Sequence, residues 1–105
     1  MTNQLVDRIN DALRVVIDPE LGHNIVDLGF VYDISVVDGG AVRITMTATT
    51  PGCPAIHFLK EGVANAAARV PGAGPVDVVM TFDPPWTPSR IAPAVRASLG
   101  FAAVN

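Results

Sequence analysis

Cysteine is nearly missing from this chain: Cys53 is the only one among 105 residues. No internal disulfide can form, so the fold must rest on its core, and a reducing compartment fits that usage. At this length a domain buries about two-thirds of its unfolded surface without staples. Half of the residues are apolar and 16% are charged, which argues for one compact domain over 1–105 and against disorder. Charge is sparse as well as mixed: seven Lys and Arg face ten Asp and Glu, a net of -3, with no basic cluster to track phosphates, so no nucleic-acid partner is expected. No run approaches the ~20 apolar residues of a membrane span, and MTNQLVDRIND lacks a basic start followed by an apolar stretch. No membrane contact and a cytoplasmic location are expected. Also missing are a Gly-rich phosphate loop, GxSxG, CxxC and HExxH.

What is present is ordered by period. Leu5, Ile9, Leu13 and Val16 recur at helical spacing, and Asp18-Pro19 predicts that this first helix stops near Ile17. Tyr32, Ile34 and Val36 alternate with Asp33 and Ser35. Val42, Ile44, Met46 and Ala48 alternate with Arg43, Thr45 and Thr47, and Asp38-Gly39-Gly40 between the two runs predicts a hairpin. Ile56, Leu59, Val63, Ala67 and Val70 form the stripe of a second helix over about 54–70, closed by Pro71-Gly72. Val76, Val78, Met80 and Phe82 mark a third strand, which Pro84-Pro85 stops. A last helix is expected from Thr87-Pro88 through Ile91, Val95 and Leu99 to Gly100, with Pro93 in its early turns.

The fold class is therefore α+β, a two-layer α-β-β-α-β-α domain with a small three-stranded mixed sheet and helices on one face. A hairpin puts the start of strand one beside the end of strand two, and a β-α-β crossover makes strand three parallel to strand two. Residues 18–30, 49–54 and 83–88 should then converge at one end, where a site in such a fold is expected.

Cys53 of TTPGCP falls near the start of helix two, where unpaired N–H groups favour a thiolate by about 0.3–1 kcal/mol; the bland alternative is a packed cysteine. His57, four residues on, lies about 130° from the apolar stripe and is either a surface residue or a second metal ligand beside Cys53. Asp18 and Glu20, with His23 and Asp27 further along, could bring carboxylates or imidazole to the same end, although a helix-ending turn in which Asp18 bonds its own backbone would equally explain Asp-Pro. Carboxylates there would raise the thiol pKa but would suit a cation. In the stiff stretch Asp83-Pro84-Pro85-Trp86-Thr87-Pro88, Trp86 reads as a core plug or loop anchor.

DPE and LG in the first loop, TTPGCP before helix two and DPPWTP after strand three, in that order, resemble the small metal-sulfur cluster assembly factors. That group includes the bacterial SufT and PaaD proteins and the eukaryotic cytosolic iron-sulfur targeting factors. The likeness runs from about Leu5 to Leu99. It implies a role in maturing iron-sulfur proteins, with a reactive cysteine at Cys53 and an acidic loop at Asp18-Pro19-Glu20. The PaaD branch, which serves a phenylacetyl-CoA oxygenase, carries a cysteine-containing C-terminal extension that has no counterpart here, which favours the SufT-like domain.

The leading expectation is a non-catalytic assembly or trafficking factor that uses Cys53, supported by Asp18, Glu20, Thr50 and Gly52, with Pro84, Pro85 and Trp86 as structural loop and His57 as a second candidate ligand. Its cargo would be an iron-sulfur cluster or iron, held transiently, and its partners iron-sulfur client or assembly proteins. Clusters usually take four protein thiolates and one protomer offers one, so either a homodimer bridges a cluster or the cluster is touched in transit. The alternative is a PaaD-like interaction module for a multicomponent oxygenase without thiol chemistry; a cysteine-dependent enzyme is a third reading.

Overall fold

The computed structural model of the chain describes residues 2–49 and 55–98. Helix α1 spans Thr2–Ala12 and passes into a 3-10 turn at Leu13–Val15. Strands β1 (Val31–Val36) and β2 (Val42–Met46) form an antiparallel hairpin. Helix α2 covers Ile56–Ala68, and β3 (Val76–Met80) returns parallel to β2. A 3-10 turn at Pro88–Arg90 precedes helix α3, Pro93–Ser98. The sheet order β1-β2-β3 leaves β2 central, and α1 and α2 lie on β1 and β3 respectively.

The alternating pattern becomes two sheet faces. Val42, Ile44 and Met46 are buried, in register with Val76, Val78 and Met80 on one side and with Val36, Ile34 and Val31 on the other. Ile9 and Leu13 close the core from above, with Leu59, Val63 and Ala67 of α2. Burying a side chain of that size contributes about 1.5–3 kcal/mol. Arg43, Asp77 and Val79 occupy the uncovered face. The hairpin turns through Gly39 and Gly40 at φ +84° and +83°, backbone that side-chain-bearing residues rarely adopt.

Four expectations need correction. The first helix ends at Ala12, not Ile17, because after the 3-10 turn the chain 16–18 pairs with 23–25: Ile17 bridges Asn24, and the Asp18 N–H donates to the His23 carbonyl at 3.0 Å. Tyr32 is not on the apolar row of β1. A register shift between Val31 and Asp33 puts Val31 there instead, and the Tyr32 hydroxyl donates to the Pro84 carbonyl at 2.8 Å. Helix α2 is shorter than 54–70, with Arg69 as its C-cap and Pro54 outside the described residues. The last helix starts at Pro93, which suits a first helical position for want of an N–H. Ile91 precedes it in extended backbone, and Leu99 and Gly100 lie outside the described residues.

Candidate functional site

The strand register brings the loop ends together. Val31 faces Met46, and Met46 lies beside Met80. The Thr47 N–H donates to the Phe30 carbonyl and the Thr81 N–H to the Met46 carbonyl, both at 2.8 Å. Segments 18–30, 47–49 and 81–92 therefore share one end of the sheet. Cys53, Thr50 and Gly52 lie outside the described residues; their loop leaves from this end, after the buried Thr47 and Ala48, and re-enters at the buried Ala55 ahead of α2.

Asp18 is the feature of this end that most needs a reason. It is 1% exposed, one of two buried polar residues, with Thr47, among the described residues. Its Oδ2 accepts the Leu21 N–H at 2.9 Å while its carbonyl accepts the Gly22 N–H at 2.8 Å, so the bland reading of Asp-Pro as a side-chain-closed turn is correct as far as it goes. Gly22 completes the turn at φ +72°. A turn of this kind does not require burial, however. Burial raises the Asp18 carboxyl above its ordinary value, the Leu21 N–H opposes that, and Glu20 adds to it. Among the described residues no Lys, Arg or His pairs with it. Glu20 is exposed, and His23 is half-buried.

Asp27 serves another end. The Asn24 side chain donates to it at 3.0 Å and Arg14 pairs with it at 2.6 Å, which together hold its carboxyl below the ordinary value. Its own N–H donates to the Asn24 side chain at 2.9 Å. Asp27 thus fastens the loop to the end of α1 rather than offering an acid to a ligand.

A strap formed by residues 83–92 lies across this loop. Trp86 is the loop anchor expected of it: its Nε1–H donates to the Leu28 carbonyl at 2.7 Å, and its ring meets Phe30 edge-on with centroids 5.5 Å apart. The Ala92 N–H donates to the Asp27 carbonyl at 2.7 Å. Gly29, at φ +77°, permits the approach, since a Cβ there would stand 2.4 Å from the Arg90 carbonyl oxygen. The Arg90 guanidinium lies 4.7 Å over the Tyr32 ring. Pro84 and Pro85 are exposed at the rim.

The structure thus brings Asp18 and the Trp86 strap to one end of the sheet. His57 is exposed on the first turn of α2, away from the core as its helical position implies, and no metal-holding group of three His, Cys, Asp or Glu exists among the described residues. Sequence reasoning missed Thr47, Arg14, Asn24 and Gly29. Only Asn24-x-x-Asp27 carried a local signal, a side-chain-capped turn; the rest act through distant contacts.

Comparison with known proteins agrees with this architecture. Residues 6–80 match the family model described as iron-sulfur cluster assembly protein. The Fe-S protein maturation auxiliary factor YitW of Bacillus subtilis is 38% identical over 100 residues, covering 95% of this chain and 98% of the relative. The crystal structure of a domain of unknown function, DUF59, from Bacillus anthracis superimposes with a TM-score of 0.89 at 33% identity, covering 94% of each chain. An iron-sulfur cluster carrier protein of Synechocystis is 37% identical over 94 residues, which are 90% of this chain but 26% of the carrier.

Proposed function

The chain belongs to the iron-sulfur cluster assembly protein family, and from that premise we propose that it is an assembly or trafficking factor for the maturation of iron-sulfur client proteins, working through the thiol of Cys53. The observation that carries the reading is the likeness to a maturation auxiliary factor over 95% of this chain and 98% of the relative. The site chemistry is consistent. Asp18 is kept buried although burial disfavours its charge, a cost of the kind that functional sites carry. A carboxylate without a cation partner among the described residues, at the end from which the chain leaves toward Cys53, suits iron as passing cargo.

One thiolate cannot complete a cluster that takes four. The cluster is therefore handed on, or shared with a second copy whose Cys53 faces the first. His57 is a further ligand candidate, and Glu20, Thr50 and Gly52 are supporting candidates beside the thiol in this reading. Work on such clients belongs in the cytoplasm. Light scattering at high concentration, with and without iron and sulfide, separates sharing from transit: a strict monomer in both conditions eliminates the shared cluster.

The decisive test is client maturation in cells carrying Cys53→Ser or Asp18→Asn in place of the native gene. Both are expected to lower client activity to the level of a deletion while the protein accumulates normally. Full maturation with Cys53→Ser would eliminate the thiol mechanism and leave an interaction module for a multicomponent oxygenase.

A further inference from the structure

The described surface concentrates its exposed apolar side chains beside α2. Val15 is 74%, Ile17 45% and Phe58 60% exposed. Val16 between the first two is buried: Val15 ends the 3-10 turn, and from Val16 the backbone is extended, so that Val16 points inward and Ile17 outward. Gly62 sets the spacing, since a Cβ there would come within 3.2 Å of Val16. The extended segment and the helix so enclose a groove of about 270 Å³, running from Phe58 to Arg69. Single exposed apolar residues are ordinary, whereas three lining one groove are the usual mark of a docking surface.

Two observations say what fits. Arg69 is the only charged residue lining the groove, and it makes no ion pair among the described residues, on a protein whose net charge is -3. By contrast, the larger groove of about 490 Å³ on the uncovered sheet face contains Arg43 and Asp77, which pair with each other at 3.5 Å and leave no charge for a partner. The second observation is the Synechocystis carrier, in which a stretch similar to 90% of this chain is joined to a remainder roughly three times as long. Surfaces that meet within one chain gain effective concentration from the linkage, and a free-standing form must supply the affinity by contact alone.

We propose that the groove between residues 15–17 and α2 docks a segment of a separate iron-sulfur cluster carrier protein, one that presents bulky apolar side chains flanked by a carboxylate for Arg69. The apolar anchors fill the space beside Phe58, Val15 and Ile17, and the carboxylate takes a charge-assisted hydrogen bond from the guanidinium. Phe58 stands on the first turn of α2, three positions after Ala55, so a carrier held there reaches the end of the helix that follows the Cys53 segment in sequence. The inference rests on the maturation role above and names its partner.

The probe is the Synechocystis carrier with the stretch similar to this chain deleted, its folding verified by circular dichroism, and the full-length carrier is the second probe. Calorimetry should show binding of the deleted carrier, at least tenfold weaker with Phe58→Ser or Arg69→Glu and unchanged with Arg43→Glu. In nitrogen-labelled protein, the amide signals of Val15, Ile17, Gly62 and Arg69 should move. On this proposal the similar stretch of the full-length carrier takes the same surface, so that probe should compete poorly. No binding to either probe, wild-type affinity in Phe58→Ser, or shifts confined to Ser35, Arg43 and Asp77 would each overturn the proposal. Groove signals that move with the concentration of this protein alone would assign the groove to a second copy and overturn it too. These outcomes are separable from failure of the maturation role: normal carrier binding by Phe58→Ser removes the docking site and leaves a maturation defect in Cys53→Ser intact.

Discussion

Gly22 and Gly29 offer a matched pair for measuring what fastens the strap. Both have left-handed backbone, φ +72° and +77°, but a Cβ at Gly22 meets nothing within 4 Å, whereas at Gly29 it would stand 2.4 Å from the Arg90 oxygen and 2.7 Å from its Cβ. Alanine at Gly22 carries the conformational cost alone, about 1–2 kcal/mol. Alanine at Gly29 carries the same cost and must also push backbone aside. That displaces the Ala92 N–H from the Asp27 carbonyl and loosens Trp86 on the Leu28 carbonyl, bonds worth about 1 kcal/mol each net. The expected total is about 3–4 kcal/mol. For a domain of this size, Gly22→Ala should lower Tm by about 5–10 °C and Gly29→Ala by about 15–20 °C. Trp86 is the only tryptophan, so its emission should shift to the red in Gly29→Ala and stay unchanged in Gly22→Ala. Equal Tm values with identical emission would refute the claim that close approach at Gly29 holds the strap.

Trp86→Phe keeps the aromatic ring but leaves the carbonyl of buried Leu28 without its donor, so denaturant unfolding should report a loss of about 1–3 kcal/mol. The two perturbed carboxylates should act oppositely on the pH dependence of stability. Asp18, raised when folded, makes the wild type gain stability as pH falls from its folded pKa toward 3.8, and Asp18→Asn should remove that gain; Asp27, lowered when folded, contributes stability above 3.8 that is lost as pH falls through its folded pKa, so Asp27→Asn should be less stable at neutral pH but lose less in acid. Chemical denaturation between pH 3 and 8 checks both, and parallel curves for all three proteins would refute the assignment. Alkylation of metal-free protein by iodoacetamide across pH should give a Cys53 midpoint below the ~8.5 of a free thiol; protection until unfolding would make it a packing residue.

The strands, the hairpin and the α2 stripe were legible because each depends on local period and turn chemistry. Val42, Ile44 and Met46 fall on one face of β2 wherever the rest of the chain goes. The misreadings share a different cause. Tyr32 keeps perfect alternation with Ile34 and Val36, yet a one-residue register shift, invisible in a period-two pattern, moves it to Pro84 and Arg90. Ile17 continues a helical stripe until its backbone finds Asn24, a pairing between two irregular segments. At the candidate site the Asp18 turn could be read from Asp-Pro, but its burial could not, since that depends on how the α1–β1 loop folds back on residues 16–18.

The division of labour within that loop follows from electrostatics. Asp27 and Asp18 lie nine positions apart and are the same residue type, but Arg14 and Asn24 compensate the first while the second meets backbone N–H groups and, among the described residues, no cation. A compensated carboxylate gains little from a metal, because binding one would break an ion pair already formed. An uncompensated, desolvated carboxylate gains most, since a cation relieves the burial penalty that raises its pKa. Such a group also releases the metal readily on protonation, at a pH nearer to neutral than an exposed aspartate would need. A factor that must pass iron on, rather than keep it, is better served by Asp18 with one thiol than by a closed set of ligands. That reasoning joins the two residues in one expected behaviour: iron bound by the wild type should be weak, lost as pH falls through the Asp18 pKa, and abolished in Asp18→Asn. Iron retained by Asp18→Asn with wild-type affinity and pH dependence would remove Asp18 from the path of the metal and reduce it to the turn it also closes.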